Sequence, residues 1–240
     1  MSARARLAAL AVLVATSLLL VACPGDEEPE PTPTPTPTEA LPDPGELMLA
    51  AADRMADVEK FHFVLDHENG TSEIVQGIEM VRAEGDIAGE DRLQAEIDGR
   101  LGTLAFETGI VVLPDQGWLR NPLTQRWQRE NITVSALFDP QQGAVALMRT
   151  ATATALGDRE SIRGAECWVV EASTDSGELV FFRGVESGLT VRAKVWIGVD
   201  DPLVHRIELY GPISSSELET IVRRLDLSNF DEDVDIVPPR

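Results

Sequence analysis

From Phe61 onward apolar residues recur at every second position, in short runs broken by glycine, and this limits the fold more than any other feature. Phe61, Phe63 and Leu65 alternate with His62, Val64 and Asp66, a spacing that suits a strand with one face buried. Asn69-Gly70 follows as a hairpin signal closing that strand. Strand-like runs continue at about 76–83, 91–99, 102–113, 116–121 and 125–130. Gly85, Gly89, Gly99-Arg100-Leu101-Gly102 and Asp115-Gln116-Gly117 separate most of them. The pattern resumes at Glu166–Ser173, Leu189–Val199, Pro202–Gly211 and Leu218–Leu227. Strands so closely spaced, with turns this short, make an antiparallel meander.

Helices are few. Asp43-Pro44-Gly45-Glu46 supplies an N-cap, a proline at the first helical position and a glutamate at the third, which together start a helix. Leu47, Ala51, Met55 and Val58 then share one face, and the helix should end near Lys60. Asp139-Pro140-Gln141-Gln142 is a second start signal, preceded by the apolar pair Leu137 and Phe138. Its stripe would run through Ala144, Leu147, Met148, Ala151 and Ala155. Several strands are apolar on both faces: Trp168 and Val170 lie on one side, Cys167 and Val169 on the other. Two helices cover only part of so large a sheet. The expected fold is therefore α+β, a strongly curved antiparallel sheet (a half-barrel) wrapped over a few helices with an apolar cavity between.

The N-terminus says where the chain works. Arg4 and Arg6 precede an apolar run from Leu7 to Val21, the layout of a secretory signal and too short for a stop-transfer helix. Leu20-Val21-Ala22-Cys23 ends that run and resembles the bacterial lipobox, in which the cysteine is acylated and becomes the new N-terminus. Residues 1–22 are thus expected to be a lipoprotein signal peptide, and Cys23 the lipid attachment site. The mature protein would be lipid-anchored on the extracytoplasmic side of the cell membrane. Residues 23–42 hold the acidic stretch Asp26 to Glu30 and a Pro-Thr repeat from Pro31 to Thr38. Alternating proline favours an extended tether, with a reach on the order of 60 Å at ~3.1 Å per residue. Residues 43–240 remain, of ordinary single-domain size.

The C-terminal third carries a family resemblance. Val195-Trp196-Ile197-Gly198-Val199-Asp200-Asp201-Pro202-Leu203-Val204-His205-Arg206 resembles a hairpin of the LppX/LprG-type bacterial lipoproteins. Gly164 to Val170, Leu225 to Asp231 and Ile236-Val237-Pro238 are similar to the strand before that hairpin and to the family's last strand and tail. The N-terminal order of lipobox, spacer, helix and the strand opening at Lys60 to Phe63 matches as well. These signals also resemble the wider LolA/LolB-like group of periplasmic carriers. The resemblance implies a half-barrel over helices with an acyl-chain cavity, and a protein that binds and carries acylated lipid or glycolipid within the envelope. Gly177 to Gly188 is short where the family often has a longer helical segment, which bears on the size of the cavity. Phe63, Leu65, Phe106, Leu147, Met148 and Trp168 are the candidate lining. The alternative is a non-catalytic lipoprotein that uses the same fold to bind or regulate an envelope transporter or another protein partner.

Other functions find little support. A net charge of -21 repels nucleic acid. With Cys23 acylated, Cys167 has no partner for a disulfide, and its apolar strand suits an inert buried thiol. His62 and His67, five residues apart, fall on opposite faces of a strand, and His205 has no metal spacing with either. No nucleophile elbow, phosphate loop or dinucleotide motif is present. No enzyme activity, metal or cofactor is expected. Asp231, Asp233 and Asp235 lack the glycine and glutamate of a calcium loop and read as a solvated acidic tail. Trp118 and Trp127 bracket a turn, a position suited to a rim or to sheet packing.

Overall fold

The computed structural model describes residues 41–75, 78–132, 134, 141–179, 182 and 184–240. The expected signal peptide, Cys23 and the expected Pro-Thr tether lie outside these residues, as do Leu137, Phe138 and the helix start expected at Asp139. The chain enters the described region through helix α1 (Pro44–Ala56), where the Asp43 side chain accepts the Glu46 amide at 3.0 Å. Strands β1 (Lys60–Glu68), β2 (Ser72–Val75), β3 (Ile78–Ala88), β4 (Leu93–Leu101), β5 (Leu104–Leu113), β6 (Gln116–Arg120) and β7 (Trp127–Glu130) follow. A π-helical turn (Gln141–Val145) leads into helix α2 (Ala146–Thr150). The chain then adds β8 (Thr152–Ile162), β9 (Ala165–Asp175), a short 3-10 turn (Ser176–Glu178), β10 (Thr190–Gly198), β11 (Val204–Tyr210) and β12 (Val222–Ser228).

All twelve strands belong to one sheet, ordered β7-β6-β5-β4-β3-β1-β12-β11-β10-β9-β8, with β2 attached to β3. Each pairing is antiparallel. The ladder is a meander except at its centre, where β1 lies between β3 and β12, with Phe63 opposite both Gly85 and Leu227. Among the described residues the sheet does not close, and β7 and β8 are its edges. Inward residues of β1, β3, β4, β5, β9, β10, β11 and β12 meet α1 and α2 in a single core. Two short helices reach so many strands only if the sheet bends around them. Gly85 marks a close approach of β3 and β4: a Cβ there would collide with the Gln94 carbonyl oxygen, so only glycine fits.

The opposite face is polar at its centre. Arg206 and Asp226 pair at 2.6 Å, Arg224 and Glu208 at 2.6 Å, and His62 and Asp86 at 2.8 Å. Away from that centre, two small apolar patches form, one of Ile162, Cys167, Val169 and Trp196, the other of Val111, Trp118 and Ile236.

Several expectations change. The stripe that α1 buries is Met48, Ala51, Ala52 and Met55, with Leu47 only half-buried. Asn69-Gly70 does not close a tight hairpin between neighbours, because β2 folds onto β3 and β1 pairs with β3 beyond it. The bend is still there, with Asn69 in the left-handed region at φ 59°. Gly99 is not a break either. It lies within β4 beneath the Phe106 ring, and the turn is made at Gly102. The second helix ends at Thr150, and Ala155 lies in β8. That strand leaves little apolar signal because it is a largely exposed edge.

Candidate functional site

An open cleft of about 960 Å³ lies between the end of α1, the helical turn at Ala144-Val145 and one end of the sheet. Its position follows from how chain segments are tied there. The Gly89 amide donates to the Glu59 carbonyl at 2.6 Å, joining the β3–β4 turn to the link between α1 and β1. The Asp231 amide donates to the Lys60 carbonyl at 2.8 Å, and the Glu59 amide to the Asp231 side chain at 3.1 Å. Lys60 Nζ meets Asp233 at 2.9 Å; this pairing holds the Asp233 carboxyl below its usual range and raises the Lys60 ammonium. Arg54, on the last turn of α1, reaches Asp201 at 3.0 Å.

The cleft has two zones. Met55, Phe61, Ile87, Val112, Val134, Ala144, Val145, Leu225 and Leu227 are buried and apolar and make its floor. Asp57, Glu59, Glu90, Asp91, Asp115, Gln116, Glu130 and Asn131 are exposed and make its mouth. A volume of this size falls near the top of the ~300–1,000 Å³ usual for small-molecule sites. An apolar floor beneath an open polar rim can shelter a hydrocarbon chain while its polar end stays in water.

The six candidate lining residues face the same side as the cleft but stand outside its wall. Phe63, Leu65, Leu147 and Met148 are packed in the core, Met148 and Leu147 at 1% exposure. They are neighbours of the floor: Phe63 pairs with Leu227 and Leu65 with Leu225, and Leu147 and Met148 follow Val145 in the chain. Phe106 and Trp168 are half-buried, Phe106 over Gly99 and Trp168 under the Arg159 guanidinium at 4.1 Å. The sequence reading missed the floor residues from the turns and from the ends of β3 and β5. Their apolar residues look like any strand end, and only the packing shows that they border open space.

The remaining candidates take structural positions. His62 and His67 do fall on opposite faces: His62 pairs with Asp86 outside, and His67 donates to the Val81 carbonyl at 3.0 Å on the inner side. Burial pushes the Cys167 thiol up and leaves the residue fully buried. Trp118 and Trp127 pack on the outer face beside Ile236, and not at the rim of the cleft. The tail is held against the sheet through Val234 and Ile236, while Asp231, Asp233 and Asp235 stay exposed. Among the described residues no three histidine, cysteine or acidic side chains come close enough to hold a metal ion, and no helix is long and apolar enough to cross a membrane.

No protein-family model matches the chain, and no curated protein matches it. Solved structures do. LprF from Mycobacterium bovis is similar with a TM-score of 0.65 at 13% identity, covering 83% of this chain and 98% of that one. The Mycobacterium tuberculosis lipoprotein LppX is similar with a TM-score of 0.57 at 17% identity, covering 81% of this chain and 98% of its own. This chain thus has the fold of LprF and LppX, the fold implied by the resemblance to the LppX/LprG-type lipoproteins.

Proposed function

We propose that this protein is a lipid carrier of the cell envelope. It is attached through an acylated Cys23 to the outer side of the cell membrane and takes the acyl part of a lipid or glycolipid into the cleft. The observation that carries this reading is the pairing of a buried apolar floor with an open mouth on the LprF and LppX fold. No chemistry on the ligand is required. Hydrocarbon burial supplies the binding energy, at ~0.8 kcal/mol per methylene removed from water. Phe63, Leu65, Leu147 and Met148 would act from behind the floor, holding Leu225, Leu227 and Val145 in place. The long tether lets the domain leave the membrane surface while its anchor stays there.

The test is native mass spectrometry of the full chain expressed in a bacterium, with a Cys23→Ser variant beside it. A co-purifying adduct of lipid mass, lost on organic extraction, is the expected result. The variant should appear in the soluble fraction and still carry the adduct. Apo protein alone, together with no binding of a fluorescent fatty-acid probe, would overturn the carrier reading in favour of a protein partner.

A further inference from the structure

Every charged residue among the described residues of the cleft wall is an acid. Asp57, Glu59, Glu90, Asp91, Asp115 and Glu130 surround the mouth, and no arginine, lysine or histidine lies among the described lining residues. The cations nearest in the chain are engaged elsewhere or stand outside the wall. Arg54 is held by Asp201, and Lys60 by Asp233. Arg92 and Arg129 adjoin Asp91 and Glu130 in sequence but do not line the cleft. The C-terminal end of α1, at Met55 and Ala56, also borders the opening and adds the partial negative charge of its terminal carbonyls. A cleft with one sign of charge and a low-dielectric floor concentrates its field at the mouth.

We infer that the cleft selects its lipid by head-group charge: it admits acyl chains borne on uncharged or cationic heads and rejects those on anionic heads. This rests on the carrier reading and narrows its substrate class. The polar head of a bound lipid must sit where the hydrocarbon floor ends, among these carboxylates. An uncharged acylated sugar or glycerol meets hydrogen-bond acceptors there at no electrostatic cost. A phosphate meets like charge, and discrimination then comes from repulsion of the wrong ligand as much as from attraction of the right one.

The experiment titrates the full chain, below the micelle concentration of each probe, with three amphiphiles sharing one acyl chain: palmitoylcholine, monopalmitoylglycerol and palmitoyl-lysophosphatidylglycerol. At low salt the anionic probe should bind at least about tenfold more weakly than the uncharged one, and palmitoylcholine most tightly. High salt should shrink the spread, since screening reaches exposed charges first. A triple variant, Glu90→Gln with Asp91→Asn and Asp115→Asn, should shrink it as well, the anionic probe gaining affinity relative to the uncharged one. Equal or tighter binding of the anionic probe, with measurable binding of the other two, overturns charge selection and leaves the carrier reading standing. Failure of all three probes overturns the carrier reading and this inference with it.

Discussion

The Nε of Arg223 donates to the Oγ of Ser72 across 3.2 Å, joining β12 to β2 within the concave side of the sheet. Arg223 is only 1% exposed, and its other nitrogens reach the Gly211 carbonyl at 3.3 Å and the Glu217 carboxylate. The Ser72 hydroxyl in turn meets His67 Nε2 at 2.7 Å, and His67 Nδ1 donates to Val81. A charge has been placed in the interior and every partner supplied.

Glu217→Ala should therefore cost about 3–5 kcal/mol, because it strands a buried guanidinium. Replacing both members, Arg223→Met with Glu217→Met, should cost less than that single change. Urea unfolding followed by tryptophan fluorescence measures both, and a double variant less stable than Glu217→Ala would contradict the account.

His67 gives the fold a pH dependence. Burial, with a smaller contribution from Arg223, lowers its imidazole to about 4 from an ordinary value of 6.5. Between those values the unfolded chain takes a proton that the folded one refuses. Stability from this group is complete above about pH 6.5, falls as pH drops toward 4, and levels off below, a loss on the order of 3 kcal/mol. Unfolding of the wild type and His67→Gln at several pH values should show the wild type losing stability more steeply between 6.5 and 4.

Ile236 is 3% exposed against Val111 and Trp118. Ile236→Ala should cost about 2–4 kcal/mol by leaving a cavity, and the tryptophan emission should shift to the red as Trp118 gains water. An unchanged spectrum would mean that the tail does not cover that face.

Gly85→Ala tests the close approach of β3 and β4. The added methyl meets the Gln94 carbonyl oxygen and, at 2.7 Å, the Ala95 Cα, and both are backbone atoms that cannot step aside cheaply. A loss of about 2 kcal/mol or more in chemical denaturation is expected.

Val58→Trp tests the cleft. Val58 is half-buried in its wall, on the link after α1, so a larger ring narrows the opening without displacing a fully buried side chain. Lipid co-purification should fall, since the ring covers part of the apolar surface that an acyl chain would otherwise bury. Thermal stability should change little.

The local sequence carried much of the architecture. Alternation at Phe61, Phe63 and Leu65, the start signal at Asp43 and the hairpin at Val195 to Arg206 each act over a few residues, so each could be read without knowing the fold. β8 escaped because its residues bury little: an edge strand is held by backbone bonds to β9, which any side chain permits. The floor of the cleft escaped for a related reason. Val112 and Leu227 have the same chemistry whether they face a neighbour or a gap, and packing alone separates the two. The acidic mouth gathers carboxylates from α1's end, two turns and β7. Only the closing of the meander around its helices brings those distant positions to one opening, so that feature belongs to the tertiary structure. The negative charge itself was in the composition, while its concentration at one apolar cleft was decided by the fold.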